Sequence, residues 1–173
     1  MNNLSKYQTY RHFMKTGDII EFSSNTMLGK GIRLVTGKHV NHTAKVIRLE
    51  QYDVERIFLL EALEHGIVLT ILSTRLQQHD GKAFWRGLAK NAEPFRLAMG
   101  QAALSRVGTK YDYKSILKQL FAKVSIEADK LFCSEFVYWV DFISGAPVKQ
   151  LAKSPWPGEF GEVGIYGEER RIL

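Results

Sequence analysis

Three runs of strand-forming residues stand close together between positions 40 and 73, and they restrict the fold more than any other stretch. Val40–Leu49 alternates with a period of two. His42, Ala44 and Val46 share one face; Thr43, Lys45, Ile47 and Leu49 take the other. Residues 50–55 are polar and turn-like. Arg56–Leu63 follows, with Ile57, Leu59, Glu61 and Leu63 on one face. Glu64-His65-Gly66 turns the chain into Ile67–Ser73, which is rich in β-branched and aliphatic residues. Connections this short join antiparallel neighbours, because a parallel pair needs a long crossover.

Other elements arrange themselves around this meander. Residues 1–15 read as a short helix or an arm, and Thr16-Gly17-Asp18 as a turn into a short strand, Ile19–Phe22. Ser23–Thr26 can cap a helix that carries Met27, Gly31, Leu34 and Val35 on its buried side and ends at Gly37. Residues 74–82 read as a polar loop, and Ala83–Leu88 as another strand. After Pro94 the pattern becomes helical. Phe95–Val107 stops at Gly108, and an amphipathic segment runs from Tyr111 to Phe121. A charged connection over 122–130 leads to Leu131–Asp141, where Phe132, Phe136, Trp139, Val140 and Ile143 recur at helical spacing before Gly145 and Pro147. The tail from Ser154 onward is rich in Gly and Pro and reads as extended over the surface. Strands in the middle third and helices in the last third make an α+β chain. At 173 residues and 45% hydrophobic, residues 1–173 fit one domain.

The last helix carries the only cysteine, Cys133, near its amino end. There the helix dipole and unpaired N–H groups favour a thiolate. A base for that thiol comes from the meander. In either odd register of the two strands around 42–49 and 56–63, His42 and Glu61 lie on one face, about 5 to 8 Å apart at Cβ. An even register sends them to opposite faces. Glu61 stands in an otherwise apolar strand, and a buried carboxylate needs a hydrogen-bond donor. Together the three residues permit triad chemistry. Cys133 is the nucleophile, His42 the base, Glu61 the orienting group, and the Cys133 N–H an oxyanion donor. Singly, each has an ordinary reading: a packed core thiol, a structural strand histidine, a carboxylate at a sheet edge. Asp18 and Glu21 read as surface charges that could assist.

Several function classes fit poorly. Lys and Arg exceed Asp and Glu by 24 to 18, but the basic residues are scattered. This indicates weak attraction to an anionic membrane surface rather than a nucleic-acid face. Gly31 and Gly37 are spaced wrongly for a phosphate loop, and Gly29-Lys-Gly31 lacks the third glycine of a dinucleotide fingerprint. His39, His42, His65 and Cys133 lack metal-ligand spacing, so neither a metal nor a cofactor is expected. One cysteine excludes an internal disulfide framework. The first residues lack the apolar run of a signal peptide, and no run is long enough to span a bilayer, which points to a cytoplasmic protein.

Lys15–Ile20, Val40–Ala44, Leu60–Ala62 with Gly66–Val68, Gly108–Asp112 and Phe132–Val137 together resemble the circularly permuted NlpC/P60 group, papain-like proteins of the YiiX/YaeF type. In that group the histidine strand precedes the cysteine helix, as here. The resemblance implies a small β-barrel or curved antiparallel sheet packed against the cysteine helix. It implies a Cys-His-polar triad on Cys133, His42 and Glu61, and a pocket-lining role for Tyr111. Two features depart from the pattern. His42-Thr-Ala-Lys45 stands where members often carry His-Val-Gly-Ile. Many members also carry export signals. The expected activity is a cysteine hydrolase of amidase or peptidase type, acting on a small peptide, an amino-acid amide or an acyl compound. An acyltransferase or lipid-acting enzyme, as in the related lecithin:retinol acyltransferase group, and a catalytically silent binding module are the alternatives.

Overall fold

The computed structural model describes residues 4–49, 56–63, 66–109, 132–151 and 153–173. The expected segment Tyr111–Phe121, and with it Tyr111, lies outside them. In chain order the elements are α1 (Ser5–Tyr10), β1 (Ile19–Ser24), α2 (Met27–Thr36), β2 (His42–Arg48), β3 (Ile57–Leu63), β4 (Gly66–Ile71), α3 (Leu72–Gln78), β5 (Gly81–Arg86), α4 (Arg96–Leu104), α5 (Phe132–Ile143) and β6 (Arg170–Arg171). Short 3-10 turns cover Lys90–Phe95 and Phe160–Glu162. Among the described residues no helix is long and apolar enough to cross a membrane.

The fold is α+β around a six-stranded antiparallel sheet in the order β4-β3-β2-β1-β5-β6. Strand alternation divides the core in two. Ile19, Ile47, Leu60 and Ile67 point to the side covered by α4, α5 and the chain end. Ile20, Phe22, Ala44, Val46, Ile57 and Leu59 point to the side covered by α1 and α3. Both faces are therefore buried, which explains why β2 and β3 contain so few exposed residues.

Four sequence expectations change. Residues 74–82 are not all loop. Leu72 and Leu76, one helical turn apart, bury against the sheet and carry the stretch into α3. The chain end is not an extended surface tail, because Phe160, Val163, Ile165, Tyr166 and Ile172 enter the two cores. Burying such side chains is worth about 1.5–3 kcal/mol each, enough to outweigh the local Gly and Pro signal. Asp18 and Glu21 are buried rather than superficial. Asp18 accepts from the Lys15 and Leu88 N–H groups, the Trp85 indole and Arg96, and Glu21 accepts from Arg86 and the Gly158 N–H.

The fourth change concerns α2. Its caps are as expected: Thr26 accepts from the Gly29 N–H, and Gly37 closes the helix at φ 67°. Its inward side, however, is the Gly29–Arg33 side. A Cβ on Gly29 would sit 2.9 Å from the Ser24 carbonyl oxygen, and Arg33 donates to that carbonyl and to Asn41. Met27, Leu34 and Val35 consequently face outward.

Candidate active site

Lys45 pairs with Leu60 and Val46 with Leu59, an odd register in which His42 and Glu61 are diagonal neighbours on one face. The His42 ring nitrogen Nε2 lies 3.0 Å from Glu61 Oε2. His42 begins β2 opposite Phe22, and the two rings are 5.9 Å apart. Only 14% of its side chain is exposed.

Glu61 is wholly buried, and both of its oxygens are engaged. Thr70 on β4 donates its hydroxyl to Oε1 at 2.6 Å, and Arg75 on α3 donates Nε–H to Oε2 at 3.3 Å. Burial alone pushes the carboxyl up. The His42 hydrogen bond and charge, the Arg75 charge and the Thr70 hydroxyl overcome it and hold the group at about 2. Arg75 also lies over the Phe22 ring, 4.8 Å from its centroid, and approaches His79 Nδ1 at 3.5 Å. Sequence reading missed Thr70 and Arg75. By its pattern Thr70 reads only as a strand residue, and Arg75 falls in the stretch that reads as a loop; its signal is the Leu72–Leu76 helical pair beside it.

Cys133 is buried as the second residue of α5. Burial pushes its thiol up. The charge and hydrogen bond of His42, with the Thr43 and Ser134 backbone N–H groups, more than reverse this and lower it. For His42, burial acts downward, while the charge and hydrogen bond of Cys133 and those of Glu61 raise it to about 10. The two shifts share a cause, since each group stabilises the ionised form of the other. Nε2 serves Glu61, so Nδ1 is the ring atom left for the thiol. Cys133, His42 and Glu61 thus lie in one connected line ending at Arg75. A further carboxyl, Glu135 in the first turn of α5, is raised to about 7 by burial.

Lys45 lies on the opposite face of β2 from His42 and points at α5. It is fully buried, with its ammonium on Asp141 and the Tyr166 hydroxyl, while that hydroxyl donates to the other Asp141 oxygen. Burial pushes the lysine down and the aspartate up, and their mutual attraction opposes both effects. This ion pair ties the cysteine helix to the histidine strand, so the His42-Thr-Ala-Lys45 departure reshapes the helix contact and leaves the His42–Glu61 pair intact.

Among the described residues no group of three or more His, Cys, Asp or Glu could hold a metal ion. His39 instead meets Glu169 at 2.9 Å, and His65 lies outside the described residues.

The solved structure of metalloprotein yiiX from Escherichia coli O157:H7 is similar to this chain, with a TM-score of 0.56 and 25% sequence identity over 79% of this chain and 69% of that one. No family model and no curated protein matches. The Cys133–His42–Glu61 cluster does not fit a metal as it stands, because His42 and Glu61 already spend their ligand atoms on one another, on Cys133, on Thr70 and on Arg75.

Proposed function

We propose that the chain is a thiol hydrolase with the permuted papain-like fold of the NlpC/P60 group, cleaving an amide or ester bond. The observation that carries this reading is the Cys133–His42–Glu61 line, in which the thiol is lowered and the imidazole raised.

The chemistry follows from the charges. The Cys133 thiolate attacks the carbonyl carbon, and the oxygen takes the negative charge. The Cys133 N–H, at the start of α5, is the donor suited to that oxyanion. When the intermediate collapses, His42 gives the Nδ1 proton to the leaving amine or alkoxide and a thioester remains on Cys133. Neutral His42 then takes a proton from water, the hydroxide attacks the thioester, and the acid leaves with the thiolate restored. Glu61 keeps Nε2–H directed and stabilises the imidazolium in both halves. The suited substrates are a small peptide, an amino-acid amide or an acyl compound. If an alcohol or amine takes the acyl group in place of water, the same site acts as an acyltransferase; the outward apolar face of α2 favours acyl substrates for that route.

Iodoacetamide uptake across pH tests the site, since Cys133 is the only cysteine. The midpoint is expected below the free-thiol value of about 8.5, and ester and amide panels should show turnover that Cys133→Ala abolishes. Uptake rising only near about 8.5, with no turnover on either panel, would leave a silent binding module.

A further inference from the structure

Helix α2 joins the end of β1 to the start of β2, so it flanks the end of the sheet from which His42 projects. Three of its apolar side chains meet water. Met27 is 91% exposed, Leu34 86% and Val35 80%. Positions 27, 31, 34 and 35 fall on one stripe at helical spacing. At Gly31, within that stripe, an added Cβ would meet nothing within 4 Å, so the stripe looks into open space. The other side of the helix is anchored through Gly29 and Arg33 to Ser24 and Asn41. This fixes the orientation, and the helix cannot roll to hide the stripe without losing those bonds.

The segment that carries the stripe holds basic residues only, although Asp80 reaches Asn25 before the helix and Glu159 and Glu162 reach Lys38 after it. From Phe22 to Leu49 there is no Asp or Glu, while Lys30, Arg33, Lys38, Lys45 and Arg48 all lie in that stretch. Lys45 is buried, Arg33 is turned toward Ser24, Arg48 donates to the Arg11 and Met14 carbonyls, and Lys38 is paired with Glu159 and Glu162. Lys30 remains as an exposed cation beside the stripe, within a chain of net charge +6.

We propose that α2 is an interfacial anchor that lays Met27, Leu34 and Val35 into the surface of an anionic bilayer, with Lys30 at the headgroups. An amphipathic helix with a cation flanking an exposed apolar stripe has this preference. A second copy of the chain fits less well. A two-fold contact across α2 would bring two Lys30 side chains together, with no acidic residue on the helix to answer them. The contact lies on the membrane rather than through it, and it does not depend on Cys133 being reactive.

The full chain is floated at low salt with vesicles of phosphatidylglycerol and phosphatidylcholine in equal parts, and with vesicles of phosphatidylcholine alone. Binding to the anionic vesicles should exceed binding to the neutral ones by about ten-fold and should fall as salt is raised. Leu34→Glu with Val35→Glu should abolish it, and Lys30→Glu should weaken it roughly five-fold or more. Far-ultraviolet circular dichroism and the rate of Cys133 alkylation report whether these variants keep the fold; Leu34→Ser with Val35→Ser replaces the glutamates if they do not. Three results would overturn the proposal: no binding to anionic vesicles at low salt, equal binding to neutral ones, or binding that survives loss of Leu34 and Val35. A concentration-dependent dimer dissolved by the same pair of substitutions, in a chain that ignores vesicles, would assign the stripe to a second copy instead.

Discussion

Replacing Glu61 with Gln removes one charge and nearly preserves the shape, so it isolates what the carboxylate does for His42. Its partners hold the buried carboxyl at about 2, against an ordinary 4.5. That difference is worth about 3 kcal/mol in favour of the charged form. Among the groups that offset burial, the His42 hydrogen bond and charge come ahead of the Arg75 charge and the Thr70 hydroxyl. An opposite charge at hydrogen-bond distance favours the charged form of its partner by about one pH unit or more, and that is the support the imidazole loses. The Gln amide oxygen still accepts from Nε2–H, so the ring keeps its orientation and only its charge loses support. Because the thiolate depends on that charge, the iodoacetamide midpoint of Cys133 should rise by about one pH unit in Glu61→Gln. Turnover at neutral pH should fall roughly ten-fold or more, with KM little changed, because the loss falls on charge that Glu61 supports during the chemical steps. A folded Glu61→Gln protein whose midpoint moved by less than about 0.2 pH units would refute the coupling of carboxylate to thiol through the ring.

Arg75→Ala should lower turnover about ten-fold, as Glu61 loses its second cation, yet cost only about 1 kcal/mol in urea unfolding, because the guanidinium is 29% exposed. Lys45→Met alone should cost roughly 3–5 kcal/mol in the same assay, since it strands the buried Asp141 carboxylate. Lys45→Met combined with Asp141→Leu and Tyr166→Phe should recover most of that loss; stability that stays low would mean the packing, not the charge, depends on Lys45. Glu61 also sets an acid limb. Its folded value of about 2 lies below the ordinary 4.5, so its contribution is complete above pH 4.5 and is lost as pH falls toward 2. Thermal melting should show that decline, and Glu61→Gln should lack it. Above pH 6.5 and above the lowered value of Cys133, and up to pH 9.0, the folded pair of thiolate and imidazolium holds the same number of protons as the unfolded pair of thiol and neutral imidazole. Stability there should be level and should then fall as His42 loses its proton toward about 10.

Much of the sheet was legible because its signals are local. Period-two alternation fixed which residues of β2 and β3 share a face, and it already implied that His42 and Glu61 could meet. The odd register that aligns them diagonally is one of the two the alternation allowed. Cap residues were equally local, so Thr26 and Gly37 bound α2 where expected, and Gly145, at φ 79°, follows the end of α5. Arg75 was harder to see. It stands fourteen residues from Glu61 on a short helix whose only sequence mark is a pair of leucines.

The amino-acid sequence by itself determined the antiparallel meander, the cysteine at a helix start, and the three residue types that meet there. Those properties follow from backbone alternation, capping and side-chain chemistry, which act over a few residues. Tertiary structure alone decided which side of each element became the inside. It turned α2 so that Met27, Leu34 and Val35 face water, because Gly29 and Arg33 bind Ser24. It drew the chain end into the core, and it buried Lys45 against Asp141 and Tyr166, partners 96 and 121 residues away. A buried charge is stable only where such distant partners converge, and no local pattern records that they will.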